Sequence, residues 1–204
     1  MDIAVFGATG MMGSAITAEA LRRGHAVTAI SRHAVHIPGE SAAAVLAADL
    51  ADSDAVSRIA AGHDVVVLAT VPSRTGGDHR QWLDDMTAAL RAVGHTRVII
   101  VGGAGALTVN GARLVESPDF PEAYRPEALT MAALYDAVKD APPSLNWTMQ
   151  APAPQVAPGE RTGSYRTADD SPAGERISSQ DFAVALLDEI ETPAHARARY
   201  AVAN

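Results

Sequence analysis

The chain has no cysteine, a single lysine and few aromatic residues. The missing cysteines exclude disulfides, a thiolate nucleophile and cysteine metal sites, and they fit a reducing, cytoplasmic setting. Long apolar runs are also missing. The longest, residues 98–109, is broken by three glycines and is too short to cross a bilayer, so no membrane partner is expected. The opening residues lack a basic and apolar leader pattern and enter a strand at once, which again points to the cytoplasm. Positive charge is in the minority, with 16 Lys and Arg against 24 Asp and Glu. The net charge of −8 argues against a nucleic-acid surface. Lys139 is the one lysine, and arginine and alanine dominate, a bias of composition rather than of function.

At 204 residues, with 48% hydrophobic and 20% charged residues, the chain fits one globular domain with a sizeable core. Its strongest signal comes early. The apolar run Ile3-Ala4-Val5-Phe6 leads into Gly7-Ala8-Thr9-Gly10-Met11-Met12-Gly13, and a helical pattern follows to Arg23, stopped by Gly24. A glycine turn between a first strand and a first helix presents backbone N–H groups to a pyrophosphate. The spacing is G-x-x-G-x-x-G rather than the G-x-G-x-x-G of ordinary dinucleotide dehydrogenases. Gly7 allows the sharp turn, Gly10 a close approach of phosphate, and Gly13 close packing of helix on sheet. Thr9 offers a hydroxyl to a phosphate oxygen, and Met11 and Met12, next in the turn, are expected at the cofactor as well.

Strand-like and helix-like runs then alternate, the pattern of a parallel sheet covered on both faces. Strands are expected at 3–6, 26–31, 44–48, 64–70, 97–102, 146–150 and 199–202. Helices are expected at 12–23, 52–61, 79–93, about 127–140 and 179–191. The last is opened by Ser178-Ser179-Gln180-Asp181, which resembles a capping box. Residues 151–174, rich in Pro and Gly, read as loop. The expected fold is α/β, a Rossmann-type doubly wound parallel sheet forming one NAD(P)-binding domain over 1–204. Residues 151–204 are expected to supply a small substrate-side lobe.

In such a sheet, ligands bind beyond the carboxyl ends of the strands. Ser31-Arg32 follows the second strand, where an NAD-specific fold places an acid on the ribose. No Asp or Glu occurs between Glu19 and Glu40. Arg32 suits a 2′-phosphate instead, so NADP(H) is expected in preference to NAD(H). Asp49 and Leu50 are expected to frame the adenine. Ala69, Thr70 and Val71 should border the ribose and pyrophosphate, and Gly102 and Gly103 should lie at the nicotinamide.

A flat acceptor is expected over Gly102 and Gly103, where missing side chains leave room for a ring. Val71 to Ser73, Tyr124, Pro152, Arg161 and Tyr165 are expected as its walls. Tyr124 is the one candidate catalytic residue. Tyr135 and Lys139 form the Y-x-x-x-K of short-chain dehydrogenases, but only seven residues separate Lys139 from Trp147. The pair therefore belongs to the far end of its helix, and no serine stands in Gly102-Gly103-Ala104 to complete a catalytic set. No metal is expected: His33 and His36 are the closest histidine pair and lack a third ligand.

The chain resembles the NmrA-like branch of atypical short-chain dehydrogenases. It looks most like compact members described as NADH-flavin reductases or biliverdin-reductase-B-like proteins. The resemblance rests on Gly7 to Gly13 with Ser31-Arg32, on Val101-Gly102-Gly103-Ala104-Gly105 with Trp147-Thr148, and on two C-terminal motifs. These are Gly159-Glu160-Arg161-Thr162-Gly163-Ser164-Tyr165-Arg166 and Ile177-Ser178-Ser179-Gln180-Asp181-Phe182-Ala183. It implies an NADPH-dependent oxidoreductase transferring hydride to a flavin, quinone or related small molecule, often with no dedicated protein acid or base. It equally allows a non-catalytic NADP(H) sensor. A sugar-nucleotide epimerase or dehydratase is a third reading, and a monomer or homodimer is expected.

Overall fold

A computed structural model describes residues 1–33, 43–73 and 76–204. The first half alternates strand and helix: β1 (Asp2–Phe6), α1 (Met11–Arg22), β2 (Ala26–Ser31), β3 (Ala44–Ala47), α2 (Ser53–Ala61), β4 (Val65–Leu68), α3 (His79–Ala92) and β5 (Arg97–Val101). A two-stranded hairpin follows, β6 (Thr108–Val109) and β7 (Ala112–Arg113), then α4 (Arg125–Lys139) and β8 (Trp147–Pro152). Three short strands, β9 (Gln155–Ala157), β10 (Arg166–Ala168) and β11 (Arg176–Ser178), precede α5 (Ser179–Glu191) and β12 (Ala198–Ala203).

The main sheet has eight strands in the order β10-β12-β8-β5-β4-β1-β2-β3. All neighbours are parallel except β10, which runs against β12. This is a Rossmann-type α/β sheet. Its chain order reverses at β1, between β2 and β4, and the carboxyl ends of seven strands share one edge. β4 is buried at every residue, and β1 at all but the first. That is why they read as continuous apolar runs, since both faces are covered. One face packs on α1 and α5, with Ile16, Phe182 and Leu186 in its core. The other packs on α2, α3 and α4, with Met86, Leu90 and Leu134.

Helix ends follow local chemistry. Asp52 and Asp78 accept backbone N–H groups at the starts of α2 and α3. The Ser178 hydroxyl oxygen accepts from the Asp181 N–H, as the capping-box pattern predicts. The region read as loop differs from expectation, because residues 151–174 contain β9 and β10. Within the expected substrate-side lobe, α5 and β12 belong to the central layers rather than to a separate unit. The Asn110-Gly111 turn, both residues with positive φ, closes a hairpin where only loop was expected. No described helix is long and apolar enough to cross a membrane.

Candidate functional site: the carboxyl edge of the sheet

The glycine turn is built by crowding on one side and openness on the other. Gly7 has φ +77, and a Cβ there would sit 2.5 Å from the Ala69 carbonyl oxygen. A Cβ on Gly13 would lie 2.1 Å from the Gly7 carbonyl oxygen, so only glycine lets α1 come this close to the turn. Gly10 differs. Its Cβ would meet only the Gly7 oxygen, at 3.3 Å, and otherwise face open space. Gly10 is the N-cap of α1, with no side-chain cap and no acidic residue in the first turn. The helix therefore offers unneutralised N–H groups and the positive end of its dipole, beside exposed Thr9, Gly10 and Met11. Turn, open space and helix terminus fit a pyrophosphate.

Next along the edge, the Ser31 hydroxyl donates to the His33 carbonyl, closing a tight bend that leaves Arg32 exposed. Among the described residues, Arg32 has no partner. His36 lies outside the described residues. Asp49 follows β3, is exposed, and accepts the Ala51 N–H at 3.1 Å, while Leu50 packs into the core beside it. Ala69, Thr70 and Val71 leave β4 next to Gly7, with the Ala69 N–H on the Phe6 carbonyl at 2.9 Å. Val71 is 49% exposed. Tyr124 is the N-cap of α4 and is 50% exposed, at the same edge. Ser73 ends the described segment after β4, also exposed.

Five expected acceptor contacts need correction. The Gly102 Cβ would point at Met149 Cγ, 3.0 Å away, and the Gly103 Cβ at Met131 Cβ, 3.3 Å away. The missing side chains make room for β8 and α4, not for a ring. Pro152 is buried at the end of β8. Arg161 pairs with Glu19, its Nε 2.8 Å and Nη2 3.0 Å from the carboxylate oxygens. The Tyr165 hydroxyl donates to Asp188 at 2.6 Å. Burial and that acceptor push its phenol up to about 12. Both side chains therefore fasten the 159–165 segment across α1 and α5. The Asp181 carboxylate completes the fastening by accepting the Thr162 hydroxyl at 2.6 Å and the Gly163 N–H at 2.8 Å.

Tyr135 and Lys139 lie far from the edge. Tyr135 is ten residues into α4, a rise of about 15 Å from its start. Its ring carries the Arg199 guanidinium at 3.7 Å, and Lys139 pairs with Asp136 at 3.6 Å. Two hollows also lie at the opposite end of the molecule. A cavity of about 420 Å³ opens between the carboxyl ends of α3 and α4, and one of about 230 Å³ beside the end of α5. Among the described residues no group of three or more His, Asp or Glu is placed to hold a metal ion.

His79, at the start of α3, was not anticipated. Its imidazole bridges the segment after β4 and the start of α4. In sequence it looks only like the first residue after an Asp N-cap.

Comparison with known proteins places this edge in a family. The chain is 36% identical over 219 aligned residues to YwnB of Bacillus subtilis, an uncharacterized protein, covering 100% of this chain and 99% of that one. A solved structure of a candidate NADH-flavin reductase from Streptococcus pneumoniae is 30% identical with a TM-score of 0.87, covering 100% and 99% of the two chains. A candidate epimerase from Bacteroides thetaiotaomicron is 32% identical with a TM-score of 0.86, covering 99% and 96%. The family model for NAD(P)H-binding proteins matches residues 7–193, from the first glycine of the turn to the end of α5. This chain belongs to that NAD(P)H-binding family and carries its nicotinamide-cofactor fold along its whole length.

Proposed function

We propose that this chain is an NADPH-dependent oxidoreductase that passes hydride from the cofactor to a flat conjugated acceptor, such as a flavin or a quinone. The observation that carries the cofactor choice is Arg32: exposed, beyond the end of β2, and unpaired among the described residues. A free guanidinium there suits the 2′-phosphate that separates NADPH from NADH, by charge and by its planar fork of donors.

The bound cofactor supplies the hydride. The chain supplies position. The N–H groups of the Gly7 to Gly13 turn and of the first turn of α1, with Met12 and Thr9, would hold the pyrophosphate. Ser31 and Arg32 would hold the 2′-phosphate ribose. Asp49 and Leu50 would flank the adenine, and Ala69 to Val71 the second ribose. The acceptor is a small molecule held between Val71 to Ser73 and Tyr124. Exposed apolar surface gathers on this edge: Met11, Val71 and Tyr124 all rank among the exposed large hydrophobic side chains. Such surface suits a flat, partly apolar ring.

Reduction of a flavin or quinone takes a hydride and a proton. Water at this open edge can give the proton, so proximity and orientation carry the rate. The remote placement of Tyr135 and Lys139 agrees with chemistry that needs no dedicated acid. The Streptococcus relative named as a candidate NADH-flavin reductase supports the acceptor class.

Equilibrium titration with NADPH and NADH tests the reading. NADPH should bind at least about tenfold more tightly, a charge-assisted contact being worth about 1.5–3 kcal/mol. Arg32→Ala should remove that advantage and leave NADH little changed. Equal affinities in the unmutated protein would contradict it.

A further inference from the structure

His79 joins the two walls of the edge. Its Nε2 lies 2.8 Å from the carbonyl oxygen of Ser73, in the segment after β4. Its Nδ1 lies 2.9 Å from the Thr130 hydroxyl oxygen and 3.3 Å from the Pro126 carbonyl oxygen, both in the first turns of α4. A carbonyl only accepts, so Nε2 carries the hydrogen toward Ser73. The Thr130 hydroxyl oxygen is also 2.9 Å from the Pro126 carbonyl, which closes the set of contacts around the ring. The imidazole is half-buried, and its backbone is fixed by the Asp78 N-cap of α3.

The walls are not held equally without it. The start of α4 is locked onto the turn that follows β5: a Cβ on Gly105 would meet the Ala128 Cβ at 2.6 Å. The segment after β4 is rooted at Ala69 by its bond to Phe6; beyond it Pro72 is buried, while Val71 and Ser73 on either side are exposed. A rigid planar ring between a carbonyl on one wall and a hydroxyl on the other fixes their spacing more tightly than packing of exposed loop side chains.

We propose that His79 is a positioning residue of the acceptor site. By tying the segment after β4 to the first turns of α4, it sets the gap into which a flat acceptor ring enters. This rests on the acceptor lying between those walls. The cofactor turn does not depend on the clamp: Gly7, Gly10 and Gly13 are crowded by one another and by Ala69, and Ala69 is held by the Phe6 carbonyl rather than by His79.

His79→Ala, His79→Gln and the parent protein test it by kinetics and by amide hydrogen exchange. For His79→Ala, the acceptor KM should rise about tenfold, the loss of one or two neutral hydrogen bonds. Its kcat should stay within about threefold, and its NADPH affinity should also stay within about threefold, since Val71 is the one cofactor contact in the loosened segment. His79→Gln retains a side-chain N–H donor and should recover most of the loss. Exchange should quicken in His79→Ala at the Val71 and Ser73 amides and not across residues 127–139 of α4. An unchanged KM, or a fall in NADPH affinity together with faster exchange throughout, would overturn the clamp. If the parent reduces no acceptor, the oxidoreductase reading fails by itself. Exchange then decides the clamp: quickening confined to the Val71 and Ser73 amides sustains it, and its absence overturns it.

Discussion

The Arg161 guanidinium lies on the Glu19 carboxylate, 142 residues away in sequence, with its Nε 2.8 Å from Oε2. Glu19 is only 4% exposed and also receives Arg22 and Arg23. Burial alone would raise its carboxyl, but the three guanidiniums outweigh that and hold it well below the usual carboxylate range. Arg23 goes on to Asp188 and Glu191 of α5, each at 2.7 Å. A motif that resembles a ligand loop in the sequence is thus a brace between two helices.

Glu19→Gln should therefore cost about 1.5–3 kcal/mol at neutral pH, the worth of a hydrogen bond to a charged group, because it removes the buried charge on which three guanidiniums converge. The sign with pH follows from the lowered carboxyl. Its stabilisation is complete above the ordinary carboxyl range near 4.5 and declines as pH falls below it toward the folded value. Urea unfolding at pH 7 and pH 3.5 should show the parent's advantage over the variant shrinking at the lower pH. An advantage that is constant or larger at pH 3.5 would refute the assignment.

Gly13→Ala should be among the costliest single methyl additions in the chain. The new carbon would be 2.1 Å from the Gly7 carbonyl oxygen, and backbone must move to admit it. Thermal unfolding should show a loss of roughly 3 kcal/mol, with cofactor affinity falling alongside. Gly24→Ala makes a useful contrast. Gly24 has φ +82 with nothing near its Cβ, so strain appears there without loss of cofactor. A Gly13→Ala protein with parental stability would mean that α1 does not sit this close to the turn.

Tyr135→Phe and Lys139→Ala should leave acceptor reduction within a few-fold of the parent. Tyr135→Phe keeps the ring beneath Arg199, and Lys139 holds only a partly exposed pair with Asp136. Steady-state rates for both variants check this. A fall approaching the 10²–10⁴-fold typical of general acid–base residues would place them at the reaction after all.

Much of the scaffold was legible in the sequence. Strands buried on both faces cannot alternate polar and apolar residues, so Ile3 to Phe6 and Val65 to Leu68 stand out as short apolar runs. The glycine turn and Arg32 could be located because strand ends fix where ligands go. The hairpin at Asn110-Gly111 carried a signal that was read as loop, and the three-residue strands β9 to β11 are too short to carry one. Direction was hidden too. A glycine says that a side chain is missing, not which way it would have pointed, and Gly102 and Gly103 would have pointed inward at Met149 and Met131. Arg161, Tyr165 and His79 were opaque for another reason. Their partners Glu19, Asp188 and Thr130 lie 142, 23 and 51 residues away, and only the packing of helices brings them together.

The proposal stands or falls on whether this edge turns NADPH over. The direct measurement is steady-state loss of NADPH absorbance with FMN and with a benzoquinone offered separately as acceptors. The parent protein should show acceptor-dependent NADPH oxidation, with NADH a poorer donor through KM, and Arg32→Ala should erase the difference. Tight binding of NADPH with no acceptor-dependent oxidation of either cofactor would contradict it, and would leave a cofactor-binding protein without catalysis.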